Sequence, residues 1–398
     1  MKKALFVCYG SGHVRMAVPV ARALRDAGLA QVQVLGLTTA APLVREAGLD
    51  LLQFKDFLDV GDAPALERGR QLVAAMGEVA DAQESIAYLG ACYEELVVEV
   101  GEEEAARRYA RDGRQAFLPR RFLERVLARA QADLLVATNS PRAEQAAVLA
   151  ARAMGIPAVC MVDLFCVDEV AWIGKPGYAD RVCVLNEHVR QFLLDAGRGE
   201  SEVAVTGNPA FDVLLDPARV AQGAALRAAQ GWGGKRVLLW PTQVEPAFHP
   251  FDGRPGDSSL PGRALQSTVD WVLRQRDAVL CVRPRAGEQP PPLPSDPRIV
   301  LTGQDWALPV LLNAVDAVVA LNSTVTLEGF LAGTRVVQVL GSVFDEAMPL
   351  SRFGMADAAV ALEDLWPALD HWAGAPRRGR GHGRVATPRV VEVLREFL

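Results

Sequence analysis

The sequence has no long apolar run, no C-x-x-C spacing among its six cysteines and no excess of positive charge. Without a run of about 20 apolar residues we expect no membrane-spanning helix, and the N-terminal apolar run ends at Gly10, too early for a signal peptide. Isolated cysteines inside apolar runs favour buried thiols over a metal or disulfide site. A net charge of −6 argues against nucleic acid as the main partner. We therefore expect a cytoplasmic protein, and a peripheral contact with the inner face of the membrane stays open.

What the chain does contain is a regular alternation of short apolar runs with longer alanine- and leucine-rich stretches at helical spacing. This alternation over 398 residues predicts an α/β protein with two Rossmann-like, doubly wound domains that face each other across a cleft. In the first domain it predicts strands over 4–8, 31–36, 134–138, 158–162 and 181–185, and helices over 14–27, 40–47, 143–154 and 187–196. In the second it predicts strands over 236–240, 278–283, 299–301, 317–321 and 335–340.

The predicted first domain covers 1–213 and is interrupted at about 56–131, where strands vanish and apolar residues recur every three or four positions. We interpret this stretch as a helical insertion, broken near Pro119. The second domain covers 214–380, and after a basic linker (374–384) a final helix, 385–398, packs back on the first domain. The insertion's arginines either face an anionic acceptor or a membrane surface, or form ion pairs along a solvated helix face; they are Arg107, Arg108, Arg111, Arg114, Arg120, Arg121 and Arg125.

The first strand leads through the turn Gly-Ser-Gly-His into a helix. In a doubly wound sheet, ligands bind beyond the carboxyl ends of the strands, so Gly12 and His13 stand at a candidate site. The positive end of the helix dipole favours a neutral imidazole, which suits His13 as a general base. Asp163, at the end of another strand, is the candidate that orients it, and Asn139 and Ser140 are candidates to line an acceptor pocket.

The second domain offers a candidate donor site at equivalent strand ends. Asn322, Ser323 and Thr324 open a helix, where hydroxyls and free N–H groups suit a diphosphate, although the same residues suit ordinary helix capping. Glu328 follows one turn later and can accept hydrogen bonds from ribose hydroxyls. The remaining candidates lie at two other strand ends: Thr242 and Gln243 after one, and Arg283 and Arg285 at the other, where strand alternation would point both guanidinium groups the same way.

Several segments resemble a known family. The segments "GSGHVRMAVPVARALRDAG", "ADLLVATNSPRAEQAAVLAARAMGIPAVCMVD" and "VTGNPAFD" are similar to the first domain of GT-B-fold glycosyltransferases, above all the bacterial N-acetylglucosaminyl transferases of peptidoglycan assembly. The last segment is also similar to UDP-GlcNAc 2-epimerases. "LPVLLNAVDAVVALNSTVTLEGFLAGTRVVQV" resembles the donor-binding segment of capsule polysaccharide transferases. Two departures stand out: "LLWPTQVEPAFHP" lacks the glycine-rich loop of the peptidoglycan enzymes, and Arg285 stands where capsule transferases carry histidine.

The resemblance implies an inverting glycosyltransferase that needs no bound metal and no cofactor. It would move a sugar from a nucleotide-sugar donor, with UDP preferred, to an acceptor hydroxyl in surface polysaccharide or glycoconjugate biosynthesis. Its catalytic pair would be His13 and Asp163. Two alternatives stay open: a nucleotide-sugar hydrolase or epimerase of an amino-sugar or sialic-acid-like pathway, and a non-catalytic nucleotide-sugar-binding protein.

Overall fold

In the computed structural model, the described residues are 1–10, 12–77, 79, 81–249, 253–285, 287–303, 305–378 and 385–398. Most of the basic segment predicted as a linker lies outside them, as does Ser11. The chain divides into two compact units: one comprises 1–210 and 385–398, and the other comprises 211–384.

The first unit contains a seven-stranded parallel sheet with the strand order β3-β2-β1-β4-β5-β6-β7. Every residue of β4 is buried, as expected for an interior strand covered by helices on both faces. Five strands were predicted within one residue of their bounds, whereas β3 and β7 were missed. The strands are β1 (Lys3–Cys8), β2 (Gln31–Gly36), β3 (Asp50–Leu52), β4 (Leu134–Thr138), β5 (Ala158–Met161), β6 (Arg181–Val184) and β7 (Val203–Val205).

Four of the first unit's helices, α3 to α6, form the predicted insertion between β3 and β4. Pro119 is the N-cap of α6, which accounts for the predicted break at this residue. Along α1, buried apolar residues recur at helical spacing and face the sheet. The helices are α1 (Gly12–Asp26), α2 (Ala41–Glu46), α3 (Ala63–Ala74), α4 (Ala82–Val100), α5 (Glu102–Asp112), α6 (Arg120–Ala130), α7 (Ala143–Ala153), α8 (Val170–Ile173) and α9 (Glu187–Asp195).

The second unit repeats the topology with six parallel strands in the order β10-β9-β8-β11-β12-β13. Two apolar cores cover its sheet, one centred on Trp240 and Trp271 and the other on Leu239 and Leu312. Its elements are α10 (Pro217–Ala229), β8 (Arg236–Pro241), α11 (Leu260–Arg274), β9 (Ala278–Arg283), β10 (Ile299–Leu301), α12 (Leu308–Ala314), β11 (Ala317–Ala320), α13 (Thr324–Leu331), β12 (Arg335–Val339), β13 (Ala358–Val360) and α14 (Leu365–Trp372). The predicted fold class, two Rossmann-like α/β domains, is confirmed.

The last helix, α15 (Ala386–Arg395), belongs to the first unit. Val390 and Leu394 join the apolar core formed by β1 and α1. Glu396 then pairs with Arg181 at 2.6 Å, and the Lys2 ammonium donates to the Phe397 carbonyl at 2.8 Å. The two ends of the chain are thus anchored to the same sheet.

Candidate functional site

The turn after β1 is shaped by two glycines with different surroundings. A Cβ on Gly10 would lie 1.8 Å from Oγ1 of Thr39, so this position is tightly packed. A Cβ on Gly12 would meet no atom within 4 Å, so the backbone there is open to an approaching group. The helix α1 begins at Gly12, two residues before the predicted start, and His13 therefore lies in its first turn rather than in the loop.

His13 faces Asp163, which follows β5. The Nε2 of His13 lies 3.8 Å from Oδ2 of Asp163, an electrostatic contact that is longer than a hydrogen bond. The side chains are 19% and 24% exposed, so both are largely buried but still accessible to a ligand. The Nδ1 of His13 is buried and has no hydrogen-bond partner among the described residues. The structure therefore brings the two predicted catalytic residues together.

Asn139, which follows β4, holds Asp163 in place through two hydrogen bonds. Its Nδ2 donates to Oδ1 of Asp163 at 3.0 Å, and its Oδ1 accepts from the Asp163 amide at 3.1 Å. The same Nδ2 also lies 3.2 Å from Oε1 of Glu169. Asn208 donates to the Asp163 carbonyl at 2.6 Å, which assigns a structural role to the asparagine of the G-N-P motif. Ser140, the other residue predicted to line an acceptor pocket, is buried and donates locally to the Pro141 carbonyl at 3.2 Å.

Burial displaces the pKa values of three titratable groups near this site, downward for the histidine and upward for two glutamates. Burial lowers the pKa of His13, the Asp163 carboxylate opposes this, and the positive charge of Arg142 adds to it. The helix dipole was the predicted cause, but burial is the largest. Burial also raises the pKa of Glu169 to about 7 and that of Glu144, whose side chain accepts from Thr138, to about 8. Groups that titrate near pH 7 are the ones best suited to exchange protons at that pH.

Arg142 lies just before α7 in a backbone conformation that is rare outside glycine, with φ of +80°. Its guanidinium lies 5.2 Å from the centre of the Tyr9 ring. Burial lowers the pKa of His13 and raises that of Tyr88; the Arg142 charge adds to the first shift and opposes the second. The strained arginine therefore acts electrostatically on the His13 turn and on the helical insertion at once.

In the second unit, Asn322 occupies the position equivalent to Asn139, after the fourth strand. Its amide N–H donates to Oε1 of Gln243 at 3.2 Å, and its Nδ2 donates to Oγ of Ser342 at 2.6 Å. The Ser342 hydroxyl donates onward to Oε2 of Glu245 at 2.6 Å, and Oε1 of Glu245 accepts from the Val343 amide at 2.7 Å. The Nε2 of Gln243 is buried and has no hydrogen-bond partner in the described part of the chain. These residues form a neutral network around one fully bonded carboxylate.

The start of α13 has a capping residue followed by an exposed one. Ser323 is the N-cap and accepts from the Val325 amide at 3.3 Å, so its hydroxyl already serves the helix. Thr324, the first helical residue, is exposed, and Glu328 is half-buried one turn later. Thr324 is thus the most exposed of the predicted donor-site residues at the start of this helix.

The continuing strand on which the prediction for the two arginines depended is not present, because β9 ends at Arg283 and Pro284 follows; the two side chains have different partners. The Arg283 guanidinium donates to the Gly303 and Trp306 carbonyls at 3.2 and 2.8 Å, and burial lowers its pKa against the opposing effect of Glu328. The exposed Arg285 pairs with Glu288 at 3.5 Å, and Thr242 donates to the same carboxylate.

In the described part of the chain, neither a metal site nor a membrane helix accompanies these groups. No cluster of three or more His, Cys, Asp or Glu side chains among the described residues is arranged to hold a metal ion. None of the described helices is long and apolar enough to cross a bilayer. All six cysteines are buried thiols.

Sequence reasoning missed Glu169, Glu144, Arg142, Glu245 and Ser342. Nothing in "DLFCVDEVAW" distinguishes Glu169 from its neighbour Asp168. The one available signal was position, because Arg142 and Ser342 each follow closely on a parallel strand.

No protein-family model and no curated protein matches this sequence, but solved structures match its fold. The structure of Staphylococcus aureus MnaA with UDP matches with a TM-score of 0.60 at 12% identity, covering 100% of this chain and 97% of the other. The UDP-GlcNAc 2-epimerase of Neisseria meningitidis bound to UDP-GlcNAc matches with 0.57 at 12% identity, covering 99% and 100%. A kitacinnamycin glycotransferase matches with 0.55 at 15% identity, covering 100% and 99%. At these identities the likeness establishes the shared fold.

Proposed function

We propose that this protein is an inverting glycosyltransferase that needs no bound metal and uses a nucleotide-sugar donor, UDP-linked by preference. The observation that carries the proposal is the His13–Asp163 pair at the start of α1, where burial keeps the imidazole neutral near pH 7. The similar structures support the donor class, because two of them were determined with UDP or UDP-GlcNAc and a third is a glycotransferase.

In the proposed reaction, the imidazole of His13 takes the proton of an acceptor hydroxyl as that oxygen attacks the anomeric carbon of the sugar. The new carbon–oxygen bond forms while the bond to the diphosphate breaks, and the nucleoside diphosphate leaves with the bonding electron pair. Asp163 stabilises the imidazolium that results. The start of α13 and Arg283 are the groups we assign to the diphosphate, and Glu328 is the one we assign to the ribose.

The donor assignment is tested by thermal unfolding in the presence of UDP, GDP, CMP, dTDP and their common sugar conjugates. We expect one nucleotide to raise the melting temperature selectively, because a ligand that binds only the folded state at 100 times its Kd adds about 2.7 kcal/mol. A protein that melts cooperatively but responds to none of these compounds would contradict the donor site.

The catalytic assignment is tested with His13→Ala, for which we expect kcat to fall by roughly 10² to 10⁴-fold while the nucleotide-induced shift is kept. His188→Ala is the matched control, because His188 is exposed on α9 and lies in no part of the candidate site. Undiminished turnover by His13→Ala would remove the general base from the proposal.

A second candidate function is an epimerase or hydrolase that acts on the nucleotide-sugar alone. Glu169 favours it, because this carboxyl group, whose pKa burial raises to about 7, lies beside the Asn139–Asp163 pair and would give the site an acid in addition to the His13 base. Incubating the protein with UDP-GlcNAc in the absence of any acceptor separates the two reactions. Epimer or free UDP formed under these conditions supports the second candidate, whereas sugar transfer only after an acceptor is added supports the first.

A further inference from the structure

A cavity of about 280 Å³ lies within the first unit, between the β1 turn and the helical insertion. Tyr9 forms part of one wall, and Met76, Tyr88 and Leu89 supply apolar surface on the other. The Tyr88 ring is fixed by edge contacts with Phe54, at 5.1 Å between ring centres, and with Phe117, at 6.4 Å. Flat rings and aliphatic side chains around a small volume suit a compact, largely apolar molecule better than a sugar chain.

One charged side chain of the cavity, Arg114, has no ion-pair partner among the described residues. Asp81 pairs with Lys55 at 3.0 Å, and Glu84 accepts from the amides of Phe54 and Lys55 at 2.9 and 3.2 Å. Arg114, by contrast, is exposed at the rim, and its guanidinium has no ion pair or hydrogen bond with any described residue. The cavity therefore combines a guanidinium without an ion-pair partner with carboxylates that already accept hydrogen bonds. This combination favours a ligand that carries an anionic group.

Arg114 differs in this respect from most arginines of the insertion. Arg107 and Arg108 pair with Glu104 at 3.0 and 2.9 Å, and Arg120 pairs with Glu124 at 3.0 Å. Arg111 and Arg125 likewise pair with Asp112 and Asp62, each at 2.7 Å. The interpretation of an ion-paired, solvated face holds for these five. The interpretation of an anion-facing arginine is left to Arg114 and Arg121, and of these two only Arg114 lines this cavity.

The cavity is joined to the candidate catalytic turn through Tyr9. Tyr9 is separated from His13 by only three residues, and Gly10 beside it is packed against Thr39, another residue of the cavity wall. The Arg142 guanidinium contacts the Tyr9 ring and acts electrostatically on both His13 and Tyr88. A molecule held against Tyr9 is thus next to the segment that carries the proposed base.

We propose that this cavity binds the acceptor, and that the acceptor is a small hydroxylated compound with an apolar, planar body and a carboxylate that pairs with Arg114. That the ligand is an acceptor rests on the proposed function. Its chemical class rests on the cavity alone. The hydroxyl of such a compound would lose its proton to His13 as its oxygen bonds to the anomeric carbon and the nucleoside diphosphate departs.

The test uses two fluorescent probes that differ by one group, 6-hydroxy-2-naphthoate and 2-naphthol, and measures their binding to the full chain without any nucleotide. We expect the carboxylate probe to bind about tenfold more tightly, because only its carboxylate can form a charge-assisted hydrogen bond with Arg114. Arg114→Gln should lower the affinity for the naphthoate to that for the naphthol and leave the naphthol unaffected. Arg107→Gln, in which an ion-paired arginine of the same insertion is changed, should alter neither affinity.

Failure to bind either probe, or equal naphthoate affinities in wild type and Arg114→Gln, would overturn the inference. Leu89→Trp, which fills the cavity, should abolish binding of both probes, and unchanged binding in that variant would place them elsewhere and also overturn it. The outcome is independent of the proposed function, because binding is measured without sugar transfer. His13-dependent turnover of a nucleotide-sugar by a protein that binds neither probe would leave the proposed function standing and remove only this inference.

Discussion

The two sheets share the strand order 3-2-1-4-5-6, and in each an asparagine after the fourth strand is hydrogen-bonded to a residue that follows the fifth. In the first unit, Asn139 holds Asp163, which faces His13. In the second, Asn322 holds Gln243 and Ser342. The first network ends on partly exposed titratable groups, whereas the second ends on a buried carboxylate with both oxygens bonded. One topology thus places partly exposed titratable groups at the strand ends of one unit and a buried carboxylate that accepts two hydrogen bonds at those of the other.

The comparison is tested most severely by Asn139→Asp and Asn322→Asp. The first change replaces the donor between Asp163 and Glu169 with a third carboxylate, so we expect a destabilisation of about 3 kcal/mol at pH 8. The effect should shrink at pH 5, where carboxyls with raised pKa values are protonated. The second change removes the hydrogen bond to the Ser342 hydroxyl and adds a carboxylate that is separated from Glu245 by that hydroxyl, so we expect a smaller loss, of about 1 kcal/mol, with a weaker dependence on pH.

Urea unfolding of both variants at pH 5 and pH 8 measures these differences. If the two variants lose equal free energies of unfolding, or if the loss in Asn139→Asp does not depend on pH, the two networks do not differ in their titratable groups as we infer.

The sequence predicted most of the strands and the pairing of the two proposed catalytic residues. The interior strands are mostly apolar and were predicted within one residue of their bounds. The three strands that were missed, β3, β7 and β13, are three-residue edge strands with partly exposed side chains, although β10, which is equally short and also at an edge, was predicted. The pairing of His13 with Asp163 followed from one rule, because parallel strands bring their carboxyl ends to the same edge.

What the sequence could not provide was the path of the loops. Cys166 has a φ of +60° and Arg142 a φ of +80°, conformations that residue type predicts only for glycine and asparagine. These conformations occur in the loops that carry Arg142 and Glu169. Similarly, the expectation for Arg283 and Arg285 assumed a continuing strand, and Pro284 ends it.

A second prediction concerns Glu144, which is buried in the first unit. Its folded pKa of about 8 lies above the ordinary value of 4.5, so the folded state holds this proton more tightly than the unfolded state. The fold therefore loses stability as pH rises from about 4.5 to 8. Glu144→Gln removes the penalty and keeps an acceptor for Thr138, so we expect a melting temperature several degrees above wild type at pH 8 and no difference at pH 5.

The counterpart in the second unit is Glu245→Gln, which deprives either Ser342 or Val343 of its acceptor. We expect this variant to melt below wild type at both pH values. Scanning calorimetry of the two variants at pH 5 and pH 8 measures both effects. A Glu144→Gln variant that melts below wild type at pH 8 would show that the carboxylate stabilises the first unit.

The smallest effect on stability is expected at Gly12, and it sharpens the comparison because the turn after β8 contains no glycine. A Cβ at Gly12 meets no protein atom within 4 Å, and alanine is a better helix former, so Gly12→Ala should keep the melting temperature or raise it slightly. If a substrate group approaches this backbone, the added methyl should instead raise KM severalfold while kcat changes little. Gly10→Ala is the matched control, since its Cβ collides with Thr39 and should cost about 1 to 3 kcal/mol of stability. Unchanged KM in Gly12→Ala would mean that the open space above the first turn of α1 is not where the substrate lies, and the base would then have to be reached from the Tyr9 side alone.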